Sequence, residues 1–196
     1  MRVITGTARG HPLKVPKSAA TRPTPARAKE AIFSSLAARV ENARVLELFA
    51  GSGALGIEAL SRGAASALFV ESNRDAARTL RENLRTTRLE ANAEIFESRV
   101  EDELGRLARQ GRSFDLIFAD PPYAGEAPGK MGWMPYLLGS DALHSILVET
   151  GRLLVEHSKK EKASESRLFE PQKEFRFGDT AITVFLRRSA LPPAAS

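Results

Sequence analysis

The sequence predicts an α/β fold of the Rossmann-like, doubly wound kind: a mostly parallel sheet with helices on both faces and an antiparallel hairpin at its C-terminal end. Three observations carry this. Short apolar runs of strand type alternate with stretches of helical period; a strand, a glycine turn and a helix follow one another through residues 45–61; and Glu174–Phe177 and Ala181–Leu186 are separated only by Gly178-Asp179-Thr180, a hairpin spacing. With 196 residues, 42% hydrophobic and 27% charged, the chain can bury one substantial core.

Taken in order, residues 1–24 form a basic arm, 25–188 the main domain and 189–196 a tail expected to be disordered. Residues 1–29 hold seven Lys/Arg and no Asp or Glu, so they carry +7, while the rest of the chain is at −2 and the net charge is +5. Such a segment, threaded with glycine and proline, suits contact with a phosphate backbone, and Arg2, Arg9, Lys14, Arg22, Thr24 and Arg27 are its candidate RNA-binding residues. Thr24 as N-cap and Pro25 at the first helical position start a helix whose inner face is Ile32, Phe33, Leu36 and Val40. That helix should dock on the main domain and tether the arm near the active site.

Val45–Ala50 and Ala67–Glu71 read as the first two strands. Asn73 caps a helix running to Arg88, with Ala76, Ala77, Leu80 and Leu84 inward and an outer stripe of Arg74, Arg78, Arg81, Arg85 and Arg88, for which Glu82 is the expected partner. Ala93–Glu97 is a third strand, Val100–Gln110 a helix and Phe114–Ala119 a fourth strand. Residues 124–139, with four glycines and two prolines, read as a loop carrying Trp133 and Met134. Asp141–Glu149 is an expected helix and Arg152–Glu156 the strand before the hairpin.

The chemistry is concentrated where the fourth strand stops, in Asp120-Pro121-Pro122-Tyr123. An exocyclic amine on a planar base has its lone pair delocalised into the ring. Attack on a methyl-sulfonium carbon therefore requires acceptors that draw the N–H bonds out of plane. The Asp120 carboxylate and the Pro121 carbonyl supply two, Pro122 stiffens the backbone that presents them, and Tyr123 stacks on the base. A strand ending in a proline-rich turn is the bland alternative. The second constellation is Glu47, Phe49, Ala50 and the turn Gly51-Ser52-Gly53 opening a helix, a spacing that also fits a nicotinamide dehydrogenase. Glu47 argues against that alternative: a carboxylate before the glycines sits poorly beside a pyrophosphate and suits the ammonium group of S-adenosylmethionine (AdoMet). Glu71, followed by Ser72, is placed to accept from both ribose hydroxyls.

The chain has no cysteine, which removes disulfides, thiolate metal sites and thiol nucleophiles. His11, His144 and His157 are too scattered for a metal site. The absence of an apolar run of spanning length and of a signal-peptide core points to a cytoplasmic protein. A protein methylating adenine N6 or a glutamine amide would use similar acceptors, though more often with Asn at position 120. A noncatalytic RNA-binding protein explains the arm alone.

From Arg2 to about Arg187 the chain resembles the bacterial 16S rRNA guanine-N2 methyltransferases. The likeness is carried by Gly6-x-x-Arg9-Gly10-x-x-Leu13-x-x-Pro16, by Arg22-Pro23-Thr24-x-x-Arg27-x-x-Glu30-x-x-Phe33, by Phe49–Gly56 with Glu58-Ala-Leu-Ser61, and by the turn at 120. The resemblance implies a seven-stranded class I AdoMet-dependent methyltransferase acting on a guanosine amino group of 16S rRNA, within a small-subunit particle, as a monomer without metal. Where that family has Asp or Asn after the third strand, this chain has Arg99. Adenine is then expected against the Val100 backbone with Glu101 or Asp102.

Overall fold

A computed structural model describes residues 1–16, 26–122, 128, 132–161 and 166–189. Its elements are α1 (Ala26–Leu36), β1 (Arg44–Leu48), α2 (Ala54–Ser61), β2 (Ser66–Val70), α3 (Arg74–Thr87), β3 (Ala93–Phe96), α4 (Val100–Arg109), β4 (Phe114–Ala119), α5 (Trp133–Leu138), α6 (Asp141–Ile146), β5 (Leu147–Ser158), β6 (Phe169–Phe177) and β7 (Thr180–Arg187). They build one seven-stranded sheet in the order β3-β2-β1-β4-β5-β7-β6. The first five strands are parallel, and β7 runs antiparallel to both β5 and β6. This is the expected Rossmann-like class I architecture.

Alternation along the strands divides the core in two. Val45, Phe69 and Phe118 join Phe33 of α1, Ile57 of α2 and Leu80 of α3 on one face. Leu46, Leu68 and Ile117 meet Leu104 of α4, Leu137 of α5 and Leu143 of α6 on the other. Helix α3 starts as its sequence dictates: the Asn73 side chain accepts hydrogen bonds from the Asp75 and Ala76 amides, satisfying two N–H groups of the first turn. The outer arginines find partners other than the one expected. Arg78 pairs with Asp75 and Arg81 with Glu97, while Glu82 pairs with Lys14 of the arm.

Strand β6 begins at Phe169, five residues before the expected Glu174, and two further elements differ from expectation. Helix α6 stops at Ile146 and the chain turns directly into β5, because a bulge separates the Phe114–Leu147 and Leu116–Arg152 pairings. Gly151 lies in that bulge with backbone so close that an added Cβ would stand 3.0 Å from the Asp115 carbonyl oxygen. The segment expected as a loop contains α5, which buries Met134, Leu137 and Leu138. Pro135 is tolerated there because first-turn amides have no intrahelical partner to lose.

The arm is folded onto the domain over its described residues 1–16. Its two halves pair through Val3, which donates to His11 and accepts from Gly10, and Val3, Ala8 and Leu13 are buried. Glu58 of α2 holds it down, accepting from the Ile4 amide at 2.8 Å and the Thr5 amide at 3.0 Å. The same carboxylate takes the Arg62 guanidinium at 2.8 Å and the ammonium of Lys29, whose side chain is fully buried. The expected Thr24 cap and the residues after 189 lie outside the described residues.

Removing the Glu58 carboxylate leaves Lys29 as a buried charge without its ion-pair partner, a loss of about 3–5 kcal/mol for comparable pairs. Glu58→Ala should therefore lower the free energy of urea unfolding by that amount and accelerate proteolysis within residues 1–16. An unchanged unfolding midpoint would show that the pair contributes nothing.

Candidate active site

The strand order reverses between β1 and β4, and the crevice beyond their carboxyl ends is where an open α/β sheet receives ligand. Two adjoining cavities occupy this edge. The first, about 350 Å³, is lined by Pro16, Phe49, Gly51, Glu71, Ser72, Val100 and Asp120, among others. The second, about 380 Å³, has Pro121, Glu156, His157 and Thr180 in its wall. Pro122 and Trp133 line both. The turn at 120–122 thus forms the boundary, with Asp120 facing one cavity and Pro121 the other.

The glycine turn is built for close approach. Phe49 and Gly51 take left-handed conformations at φ 57° and 54°, and Gly53 follows at 75° as the residue before α2. A Cβ at Gly51 would meet only the Phe49 carbonyl oxygen, at 3.9 Å, so the glycine opens backbone to the cavity. At Gly53 a Cβ would fall 2.2 Å from Leu80 Cδ1, so this glycine serves packing between α2 and α3. Glu71 closes the turn from β2: one oxygen accepts from the Gly51 amide and the other from the Asn73 amide, each at 2.7 Å. Each oxygen retains a second acceptor direction for a ligand hydroxyl.

Glu47 behaves differently from its neighbours. It is 5% exposed, does not line the first cavity, and accepts from the Leu55 amide at 3.2 Å and the Gly56 amide at 2.7 Å, capping the first turn of α2. Burial pushes its carboxyl up to about 7 in spite of those two amides and the nearby Lys29. Asp120 is also raised well above the usual carboxylate range, by burial first and then by the charges of Glu156 and Glu47. Acids this reluctant to ionise favour a cationic ligand and disfavour an anionic pyrophosphate.

Of the sequence-derived candidates for cofactor contact, Phe49, Gly51, Glu71, Ser72, Val100 and Asp120 line the first cavity. Ala50, Ser52 and Gly53 stand behind it with Glu47, and the Ser52 carbonyl accepts from the Asn83 side chain at 2.9 Å. Arg99 and Glu101 also line it and pair with each other, whereas Asp102 does not. The cleft therefore offers open backbone at Gly51, an acid just after β2 and a second just after β4, a set of groups that fits a cationic nucleoside such as AdoMet.

Sequence reasoning missed Pro16, Asn73 and Ser98 as site residues, and it placed Trp133 in a loop without a role in the site. Trp133 packs edge-on to Phe49 at 4.7 Å and Tyr136 at 5.6 Å, and its indole N–H is buried with no hydrogen-bond partner among the described residues. Asn83 was missed as well. It accepts from the Lys14 amide and donates to the Lys14 carbonyl, so one side chain joins the arm to the glycine turn. Arg2, Arg9 and Arg27 are exposed and make no ion pair among the described residues, while Lys14 is engaged by Glu82. Arg22, Thr24 and Tyr123 lie outside the described residues. No group of His, Asp and Glu able to hold a metal occurs among the described residues, and no helix there is long and apolar enough to cross a membrane.

The family described as "Conserved hypothetical protein 95" matches residues 1–186. The chain is 35% identical over 190 residues to "Putative rRNA methyltransferase YlbH" of Bacillus subtilis, covering 96% of this chain and all of that one. It is 42% identical over 123 residues to "Ribosomal RNA small subunit methyltransferase D" of Escherichia coli, covering 63% and 60% of the two chains. The solved structure titled "Putative methyltransferase yhhF" from Escherichia coli superposes with a TM-score of 0.78 at 31% identity, covering 97% of this chain and 99% of that one.

The raised Glu47 acid has a stability signature. Below about pH 4.5 it is protonated in folded and unfolded chains alike, and above about pH 7 it is ionised in both. Between these limits the folded protein alone keeps the proton, so its contribution is present at low pH and lost as pH rises through 7, about 3 kcal/mol in total. Glu47→Gln removes that titration, while Asp120 acts in both proteins. Melting temperatures across pH 4.5–8 should decline less steeply for the variant, and parallel profiles would refute the assignment.

Proposed function

We propose that this chain, which belongs to the Conserved hypothetical protein 95 family together with the small-subunit rRNA methyltransferase D proteins, transfers the methyl group of AdoMet to the exocyclic N2 of a guanosine in 16S rRNA. Family membership makes it an AdoMet-dependent small-subunit rRNA methyltransferase. The guanine amino group as acceptor is the proposed refinement. The observation that carries it is the position of Asp120-Pro121-Pro122 at the junction of the two cavities, with one prospective acceptor facing each.

In this reading the first cavity would hold AdoMet, Glu71 accepting from its ribose hydroxyls, Ser98 to Glu101 receiving its adenine and the Gly51 backbone its methionine part. AdoMet supplies a methyl group on a cationic sulfur. The base enters from the second cavity. Asp120 and the Pro121 carbonyl each accept one N–H of N2, which localises the nitrogen lone pair toward the methyl carbon. As the N–CH3 bond forms, the C–S bond breaks and its electrons stay on sulfur. Nitrogen becomes positive and gives its proton to Asp120, which takes it as a carboxylate, the form that a neighbouring cationic sulfur would favour.

Glu47 acts indirectly, by fixing the turn of α2 that carries the glycines. Tyr123, next to the turn, is proposed to stack on the base. The guanosine must leave its stack, at a cost on the order of a few kcal/mol that base stacking and backbone contacts offset. Arg2 and Arg9 of the docked arm and Arg27 of α1, with Arg22 and Thr24 of the stretch between, are proposed as those contacts. A small-subunit particle is the proposed form of the substrate.

Asp120→Ala should abolish formation of N2-methylguanosine in small-subunit particles, measured by nucleoside mass spectrometry, while AdoMet affinity by calorimetry changes less than about tenfold. Loss of AdoMet binding with no effect on the methyl acceptor would contradict the role given to Asp120. Replacing Arg2, Arg9 and Arg27 together by Gln should weaken RNA binding and reduce the slope of log K against log salt by roughly two to three. An unchanged slope would remove the arm from the interface.

A further inference from the structure

The second cavity holds a feature that methyl transfer alone does not use. Val155 of β5 pairs with Ala119 of β4, so the residues one step beyond, Glu156 and Asp120, stand side by side at the carboxyl edge of the sheet. Glu156 is 6% exposed and lines the second cavity, where Pro121 and Pro122 form the facing wall. The floor beside it is fixed: His157 Nε2 lies 2.8 Å from Thr183 Oγ1 and its Nδ1 lies 2.9 Å from the Ser158 carbonyl oxygen. A buried carboxylate is thus positioned next to the two acceptors assigned to N2.

We propose that the second cavity is the base-recognition site and that Glu156 selects guanine by accepting a hydrogen bond from its N1–H while N2 is held by Asp120 and Pro121. The inference rests on the guanine reading given above and adds the residue that enforces it. Guanine presents two adjacent donors, N1–H and N2–H, along one edge, and β4 and β5 place acceptors side by side to receive them. A purine with a bare nitrogen at position 1 presents a lone pair to the carboxylate and is repelled. Discrimination by an unmatched polar group in a buried site is large, in contrast to discrimination by shape alone. A cavity of about 380 Å³ lies within the range of small-ligand pockets.

The test uses 2-aminopurine, which keeps the N2 amine and has no proton at N1. Small-subunit rRNA is assembled with either guanosine or 2-aminopurine at the nucleotide that the wild-type protein methylates, and transfer of labelled methyl from AdoMet is followed for wild type and Glu156→Gln. Wild type should prefer guanosine by about 100-fold or more in kcat/KM. The variant, whose amide can donate to N1, should reduce that preference to under about tenfold, with AdoMet affinity within about threefold of wild type as the sign of an intact fold. Wild type methylating both bases equally would overturn the proposal whatever the variant does, and so would an unchanged preference in Glu156→Gln. Wild type that methylates no guanosine N2 would instead overturn the guanine reading itself, a result distinguishable from either.

Discussion

The structure depends on a row of carboxylates placed where water has been largely removed. Four adjacent strands, β2, β1, β4 and β5, deliver Glu71, Glu47, Asp120 and Glu156 at or next to their carboxyl ends. Negative groups in such a position raise one another's proton affinity, as Asp120 does under the influence of Glu156 and Glu47. Lys29, buried beneath them from α1, supplies one cation, yet Glu47 remains raised despite it. The sheet edge is thus electrostatically incomplete by itself. A ligand carrying positive charge on sulfur and nitrogen completes it, and an anionic dinucleotide does not.

The same economy of charge explains the N-terminal arm. Its basic side chains would not pack onto a core as such, and the described ones, Arg2, Arg9 and Lys14, stay exposed. What packs is backbone: amides of Ile4, Thr5, Thr7, Ala8 and Lys14 donate to Glu58, Ser61 and Asn83, with small or apolar side chains between. Arg2 and Arg9 are left pointing to solvent. Pro16 of the arm therefore stands in the wall of the first cavity while Arg2 and Arg9 keep their charge on the outside. Asn83 makes the joint with the glycine turn, so the segment proposed to grip RNA and the loop proposed to hold AdoMet share one hydrogen-bonded side chain.

How much was legible in the sequence follows from which property each residue exploits. Elements declared by period and punctuation were readable: β4 spans Phe114–Ala119 as expected, and α3 begins at its Asn73 cap. The end of α6 was hidden because Ile146-Leu147-Val148 satisfies helical and extended patterns equally, and only pairing with β4 decides between them. Helix α5 was obscured by its glycine neighbours and Pro135. The length of β6 was obscured by Pro171 and a run of polar residues, which an edge strand with a bulge accepts. At the site, residue types were legible and their partners were not. Nothing in the spacing of Glu47 from the glycines says that its oxygens will be occupied by the Leu55 and Gly56 amides, nor does the sequence around Lys29 reveal a burial that Glu58 and the Arg2 carbonyl make tolerable.

Glu47 also shows why a buried acid is worth keeping in a role that an uncharged cap would fill. Gly56 leaves room for it: a Cβ there would stand 2.8 Å from Glu47 Oε2 and 2.4 Å from the Phe69 ring, so glycine and carboxylate fit as a pair. A serine or asparagine from the strand would satisfy one amide, whereas the carboxylate satisfies two and places negative potential behind the turn. That potential reaches Asp120, whose proton affinity it raises. Under the proposed reaction the acceptor nitrogen must surrender a proton after it is methylated, and a carboxylate with high proton affinity takes it most readily. Burial that weakens the fold at neutral pH is in this way the property that lets the site finish its chemistry with neutral groups.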